Sequence, residues 1–224
     1  ACIERLLNVR NARVRPGLDD KIIAGWNGLL ITGLCKAYDA LGSPEILEMA
    51  RKTADFLFDS MWNDGVLYRN YKEGQAYYHG CLEDYAFVID GCISLYSSCF
   101  DEKWLDRAEM LSEIVMQYFF DEADALFYYT DVRGEKLIAR KKDLFDNVIP
   151  ASNSAMALNL YRLGILLERP AYSRLAETML SKIKSFIASD LQYMSNWANL
   201  ALYLSYPTAE IVICGPQALK LRNE

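Results

Sequence analysis

Charge-poor helical stretches alternate with charge-rich ones along this chain. Over 26–42 only Lys36 and Asp39 are charged, and apolar residues recur at spacings of three and four. That spacing predicts an α-helix, and its lack of charge predicts contact with protein on most sides. A second helix is predicted from Ser43-Pro44, a serine-proline start signal, with charged residues on one face and apolar residues on the other. The first helix is therefore expected to be buried and the second to lie at the surface.

The same alternation recurs, so the chain is predicted to be a series of helical hairpins. The hairpins cover 26–62, 82–119 and 152–189, and a further uncharged helix covers 195–206. The charge-rich helices also resemble one another in their apolar spacing, and an internal repeat of this kind indicates units that stack on a common core. The predicted fold is mainly α, an α/α toroid or an incomplete arc of one. Uncharged helices form its inner ring and amphipathic helices its outer ring.

Short β-strands are predicted in the connections and near the end of the chain. The first two hairpins are followed by short strand patterns at 62–68 and 120–129. The stretch 209–216 has the pattern of a strand that ends in a Gly-Pro turn. The chain is therefore divided into a toroid portion, 1–206, and the start of a small α/β element, 207–224.

Composition narrows the possible partners. The chain is 52% hydrophobic and 24% charged with a net charge of −6, as in an ordinary globular protein, and no basic run favours nucleic acid. The longest uncharged run holds too many polar groups for a membrane span. Six cysteines lack both a C-x-x-C motif and metal-type spacing to the single histidine, His79. We expect no metal, no cofactor and no disulfide, and a reducing, cytoplasmic location.

Polar residues at the starts of the inner helices are the candidate chemistry. If the inner helices run alike, these starts gather at one end of the ring, where a pocket can form. Carboxylates there could act as acid and base, while amides and aromatic rings suit the hydroxyls and the flat faces of a sugar. The predicted catalytic residues are Asp20 and Asp84. The predicted substrate-binding residues are Lys21, Trp26, Asn27, His79, Glu83, Tyr85, Asp143, Asn153 and Trp197.

The same residues also have an ordinary structural interpretation. Ser152, Asn153, Ser195 and Asn196 have the character of helix N-caps, and carboxylates near helix starts are favoured by the helix dipole. Trp26 and Trp197 could equally belong to the core. Both interpretations remain open at the level of the sequence.

Several spaced motifs resemble a known family. DDKIIAGWNGLL, CLEDYAFVIDG, ARKKDLFDNVIPASNSAMALNLYRLG and EIVICG resemble the C-terminal part of the spermatogenesis-associated, thioredoxin-domain-containing proteins. The resemblance implies an α/α toroid similar to N-acylglucosamine 2-epimerases and six-hairpin glycosidases, preceded by a thioredoxin-like domain that this chain lacks. Those epimerases use histidines as acid and base. With one histidine, this chain favours carboxylates such as Asp20 and Asp84, by fold analogy only.

Two functions are therefore expected as alternatives. The first is a carbohydrate-related domain that binds or processes a sugar with carboxylates at the inner-helix starts. The second is a noncatalytic scaffolding or protein-interaction module for the missing thioredoxin-like domain. An incomplete arc leaves apolar helix faces uncovered at both ends, which predicts self-association or pairing with the missing part of the chain.

Overall fold

Paired inner and outer α-helices make up most of the fold. The computed structural model describes residues 2–134, 138–206, 209, 211 and 213–218. The elements in chain order are α1 (Cys2–Asn11), β1 (Ile22–Ile23), α2 (Ala24–Leu41), α3 (Pro44–Ser60), β2 (Trp62–Asn63), β3 (Val66–Lys72), β4 (Gln75–His79), α4 (Leu82–Cys99), α5 (Glu102–Tyr118), β5 (Phe120–Asp121), β6 (Leu126–Phe127), α6 (Ser152–Leu166), α7 (Pro170–Ser189), a 3₁₀ turn (Leu191–Tyr193) and α8 (Ser195–Ser205). The predicted mainly helical fold is confirmed.

The inner helices α2, α4, α6 and α8 pack side by side in that order. The outer helices α3, α5 and α7 each lie against the inner helix that precedes them. α4 has a neighbour on each side and is buried along most of its length, as its lack of charge predicts. Each outer helix buries a single stripe; in α3 the stripe is Leu47, Ala50, Ala54 and Leu57. The charges of the outer helices lie mainly on the opposite face, as amphipathic surface helices require.

The first inner helix is less covered than its sequence predicts. α2 buries Ile31 and Cys35 against its neighbours, but the side chain of Trp26 is 64% exposed, and Leu30 and Leu41 on the same face are also exposed. The expectation that α2 contacts protein on most sides is wrong, because only α3 and α4 pack against it extensively. At the other end of the row, α8 exposes Leu202 and Tyr203.

A close approach of two backbones fixes the spacing between α2 and α4. A β-carbon added to Gly28 would lie 2.5 Å from the carbonyl carbon of Phe87 and 2.7 Å from the amide nitrogen of Val88. Across the contact, a β-carbon added to Gly91 would lie 3.2 Å from the backbone oxygen of Gly28. These two glycines therefore let the helices approach more closely than any side chain would allow.

Short strands lie in the connections, as predicted. β3 is the centre of an antiparallel sheet that pairs with β1, β2 and β4, while β5 pairs with β6. The sheet is attached to the start of α4, because the Gly80 amide donates to the Leu67 carbonyl at 2.7 Å and the Leu67 amide donates to the Tyr85 hydroxyl at 2.9 Å. The sheet thus packs against the end of the inner helices where chemistry is expected.

The predicted C-terminal strand falls mostly on residues outside the described set. Of 207–224 the structure describes only 209, 211 and 213–218, where a turn at Gly215 closes through the Ala218 amide. The strand at 209–216 and the α/β element at 207–224 therefore stay predictions.

The α2–α4 contact can be tested with two alanine substitutions in one helix. We expect Gly28→Ala to lower the free energy of unfolding by about 1–3 kcal/mol, because the new methyl group overlaps the α4 backbone. Gly33→Ala is the matched control, since nothing lies within 4 Å of a β-carbon there. At that position alanine should stabilise the helix by about 0.5–1 kcal/mol. Urea unfolding measures the change in unfolding free energy in both variants. If Gly28→Ala stabilises the chain as Gly33→Ala does, the close contact is contradicted.

Candidate functional site

A buried carboxylate joins the starts of two inner helices. Asp84, in the first turn of α4, has a fully buried side chain. Its Oδ1 accepts the Gly25 amide of α2 at 2.9 Å, and its Oδ2 accepts the Cys81 amide at 2.9 Å and Nη1 of Arg69 at 2.7 Å. Burial raises the pKa of Asp84 to about 6, although Arg69 and the two amides favour the charged form. Asp84 therefore links α2, α4 and β3 at one point.

Arg69 connects this buried group to a carboxylate at the surface. The same Nη1 lies 2.8 Å from Oε1 of Glu83, whose side chain is 18% exposed. Burial opposes the charge of Arg69, yet Asp84 and Glu83 hold its pKa above the ordinary value. The Tyr129 phenol lies close to Glu83, and its pKa is raised, mainly by burial and then by the neighbouring Cys81 and Glu83. Glu83 is thus held by Arg69 beside the Tyr129 phenol.

Glu83 opens on a cleft of about 360 Å³, named here the Glu83 cleft. Its lining is formed by Glu83, Tyr129, Lys141, Lys142, Asp143, Phe145, Asn147, Ile149, Pro150 and Ala151. Asp143 is tied to the start of α6, because its Oδ2 accepts the Ser152 amide at 2.7 Å. Lys142 is occupied elsewhere, with Nζ 2.6 Å from both Asp121 and Asp124. The cleft therefore presents carboxylates, a phenol, an amide and an exposed aromatic ring.

A second concavity of about 410 Å³, named here the His79 hollow, lies beside the Glu83 cleft. Its lining is formed by Tyr78, His79, Gly80, Cys81, Thr130, Asp131, Arg133 and Gly134. Cys81 lines the hollow and Glu83, two residues later, lines the cleft. In the second segment, Tyr129 lines the cleft and Thr130 lines the hollow. The Leu82 amide donates to the Tyr129 carbonyl at 2.8 Å and holds these two segments together. The two concavities therefore share a wall.

Three of the predicted binding residues are buried and structural. The Tyr85 hydroxyl accepts the Leu67 amide, and its ring packs on Phe119. Asn153 joins α6 to β6 through both the amide and the carbonyl of Phe127. Trp197 donates from Nε1 to the Leu144 carbonyl at 2.9 Å. These side chains line neither concavity, because their polar atoms are occupied by the backbone.

The predicted residues near the start of α2 lie apart from both concavities. Asp20 is exposed and paired with Lys72 at 2.7 Å, and this hydrogen bond lowers its pKa. Lys21 pairs with the neighbouring Asp19 at 3.3 Å. Asn27 donates to the Ile23 carbonyl within its own helix start, and Trp26 is exposed. The expectation of one basin is therefore met only in part: Glu83 and Asp143 share the cleft, and His79 lines its neighbour.

Carboxylates accept backbone amides at the starts of the inner helices. The residues at their N-cap positions are Ile23, Cys81, Ala151 and Met194, so Ser152 and Ser195 are first helical residues and their interpretation as N-caps is wrong. The Asp146 side chain accepts the Ala151 and Asn196 amides, each at 2.8 Å, and so caps α6 and α8 together. The Asp84 side chain likewise accepts the Gly25 amide at the start of α2 and the Cys81 amide at the start of α4.

Asp146, Asp131 and Arg69 were not singled out as site residues by sequence reasoning. Asp146 and Asp131 lie in connections without a helical pattern, and Arg69 lies in a strand whose partner carboxylates are distant in sequence. The available signal was the recurrence of acidic residues at Asp143 and Asp146, shortly before the start of α6. The partners of Arg69 could be identified only from the packing.

Neither a metal site nor a membrane-spanning helix is found among the residues that the structure describes. No group of three or more His, Cys, Asp and Glu side chains there could hold a metal ion. None of the helices there has both the length and the apolar character needed to cross a membrane.

Comparison with known proteins identifies relatives by sequence. No family model matches the chain. Spermatogenesis-associated protein 20 of Rattus norvegicus is 33% identical over 172 residues, which cover 72% of this chain and 22% of that protein. The chain thus spans about a fifth of this relative's length, and the resemblance predicted from the motifs is confirmed.

Solved structures with a similar fold are sugar-processing proteins. A GH76 alpha-mannanase of Bacteroides thetaiotaomicron has a TM-score of 0.61 at 18% identity, covering 78% of this chain and 46% of that one. Cellobiose 2-epimerase of Bacillus thermoamylovorans has a TM-score of 0.59 at 11% identity, covering 75% and 46%. A Salegentibacter alpha-1,6-mannanase, inactivated at two consecutive aspartates and bound to alpha-1,6-mannotriose, has a TM-score of 0.58 at 14% identity, covering 81% and 51%. The chain is therefore homologous to part of spermatogenesis-associated protein 20 and has the fold of the α/α-toroid epimerases and glycosidases.

Proposed function

We propose that this chain forms part of a saccharide-binding domain whose ligand lies in the Glu83 cleft. The observation that carries the proposal is the Glu83 carboxylate, held by Arg69 beside the Tyr129 phenol and open to the cleft. A carboxylate fixed in this way can accept hydrogen bonds from sugar hydroxyls without first losing side-chain freedom.

The rest of the cleft suits a polyhydroxylated ligand. Asp143 supplies a second acceptor, Tyr129 and Asn147 supply hydrogen-bonding groups, and the Phe145 ring is exposed. Aromatic rings offer the flat apolar surface that the C–H face of a sugar requires. The lining contains two carboxylates, Glu83 and Asp143, and two ammonium groups, Lys141 and Lys142, so its charges balance and favour a neutral ligand over a strongly charged one.

The neighbours by fold support the same class of ligand. One of them binds alpha-1,6-mannotriose and loses activity when two consecutive aspartates are replaced. This chain carries consecutive carboxylates at Glu83 and Asp84, and the two have different surroundings. Glu83 faces the cleft, whereas Asp84 is buried, so we assign ligand contact to Glu83 and positioning to Asp84. If the domain also processes its saccharide, Glu83 is the carboxylate placed to act as acid or base, rather than Asp20 or Asp84.

Direct titration tests ligand binding. Mannose, alpha-1,6-mannotriose, glucose and cellobiose are titrated into the 224-residue chain by calorimetry. Glu83→Gln should weaken binding about tenfold or more, because a hydrogen bond to a charged group contributes about 1.5–3 kcal/mol. Glu177→Gln, exposed on α7, is the matched control and should bind as the unmodified chain does. Binding that is equal in both variants would contradict the assignment of Glu83.

The positioning role of Asp84 predicts a pH dependence of stability. Its pKa of about 6 in the folded chain lies above the value near 4 for an unfolded aspartate. The folded state therefore holds an extra proton between these values, and the contribution of Asp84 to stability is largest below about pH 4 and is lost as the pH rises through 6. Asp84→Asn cannot titrate at this position.

Urea unfolding at several pH values tests this prediction. Relative to Asp84→Asn, the unmodified chain should lose on the order of 2–3 kcal/mol of unfolding free energy between pH 4 and pH 7. Asp59→Asn, exposed on α3, is the control and should leave the pH profile of the unmodified chain unchanged. A pH profile that Asp84→Asn does not alter would refute the coupling.

A noncatalytic interaction module is the second candidate, and the exposed helix faces favour it. Trp26, Leu30 and Leu41 form an apolar stripe along α2, and Leu202 and Tyr203 are exposed on α8 at the other end of the row. Faces of this kind commonly mark sites of protein contact. Such a module would self-associate or pair with another part of its chain, and it would bind none of the four sugars.

A further inference from the structure

The His79 hollow contains a buried polar atom without a partner. Within the described residues, Nδ1 of His79 is buried and makes no hydrogen bond. The nearest carboxylate oxygen, Oδ2 of Asp131, is 3.9 Å away, too far for a hydrogen bond. An unsatisfied buried polar group is destabilising, and the His79 side chain is 35% exposed, so a ligand in the hollow that turns this ring and bonds to it removes that penalty.

The charges of the hollow are already balanced. Arg133 contacts both carboxylate oxygens of Asp131, with Nε at 3.1 and 3.0 Å and Nη2 at 2.6 Å, and its Nη1 donates to the Gly65 carbonyl at 3.2 Å. Asp131 is buried, and its acceptors are largely occupied by Arg133. A guanidinium and a carboxylate that neutralise each other leave little net field for an anion. The hollow therefore suits a neutral polar ligand.

An aromatic ring is exposed at the edge of the hollow. Tyr78 has a backbone φ of 61°, in the left-handed region that a tyrosine rarely adopts, and its side chain is 71% exposed. Strained backbone of this kind persists only where the surrounding structure imposes it, and such positions cluster at binding sites. A polar hollow beside an exposed ring combines the two contacts that a sugar residue makes.

The position of the hollow relates it to the Glu83 cleft. Its wall is the Cys81–Glu83 start of α4 together with the Tyr129–Thr130 segment, joined by the hydrogen bond from Leu82 to Tyr129. Both concavities lie at the start of α4, one on each side of this wall. We propose that the His79 hollow is a second saccharide subsite, so that the ligand is an oligosaccharide with one sugar residue at Glu83 and another between Tyr78 and His79. This inference rests on the proposed function.

The dependence of affinity on chain length tests the second subsite. Dissociation constants are measured for mannose against alpha-1,6-mannotriose and for glucose against cellobiose. In at least one series the longer sugar should bind about tenfold more tightly or better, the gain expected from one further well-placed set of contacts. Tyr78→Ser and His79→Ala should abolish that gain and leave binding of the single sugar unchanged, whereas Glu83→Gln should weaken both.

Control variants and the pattern of affinities distinguish a failure of the second subsite from a failure of the proposed function. Tyr206→Ser removes another exposed tyrosine, at the end of α8, and should have no effect. Equal affinity for short and long sugars, or a length gain that survives both Tyr78→Ser and His79→Ala, would overturn the second subsite alone. Absence of binding by every sugar would overturn the proposed function and this inference with it. Circular dichroism of each variant confirms that a loss of affinity is not a loss of folding.

Discussion

The buried carboxylates that accept backbone amides at the starts of the inner helices are the constraint on which the rest of this structure depends. The N-cap residues Ile23, Ala151 and Met194 offer no side-chain acceptor, so the first amides of α2, α6 and α8 require acceptors from elsewhere. Asp84 accepts the Gly25 amide of α2, Asp143 the Ser152 amide of α6 and Asp146 the Asn196 amide of α8. Asp84 and Asp146 each join the starts of two successive inner helices. The ends of the inner helices are therefore aligned by charge as well as by packing. A site at this end is held on rigid elements.

The same constraint divides the carboxylates by role. Asp84 and Asp146 are enclosed by amides and Arg69 or serine hydroxyls, and they have little surface left for a ligand. Glu83 is adjacent to Asp84 in sequence but points into the cleft, because successive residues of a helix lie about 100° apart around its axis. Arg69 contacts both carboxylates, so the fixed position of Asp84 also restrains the side chain of Glu83. Burial and orientation therefore distinguish two neighbouring acidic residues that look equivalent in the sequence.

The sequence predicted the repeat well and the site only in part. Charge-poor and charge-rich helices alternate with a period that is visible without a structure, so α2 to α8 fall close to their predicted bounds. The site was harder to predict, because an acidic residue at a helix start gives the same signal whether it caps a helix or faces a pocket. Asp84, Asn153 and Trp197 proved buried. Arg69 was missed because its partner carboxylates are distant in sequence, and Asp131 was missed because it lies in a connection without a helical pattern. Trp26 was predicted to bind substrate, with a place in the core as the alternative, but its side chain lines neither concavity and is exposed.

Saccharide binding in the Glu83 cleft, at the starts of the inner helices, is the proposal on which the others rest. Backbone amide NMR spectra of the isotopically labelled chain, recorded during titration with alpha-1,6-mannotriose, locate the bound ligand residue by residue. Binding in the cleft should change chemical shifts mainly at Glu83, Tyr129 and 143–147 and leave the amides of Tyr203 and Leu41 unaffected. Shift changes confined to the exposed faces of α2 and α8, with none around Glu83, would contradict it.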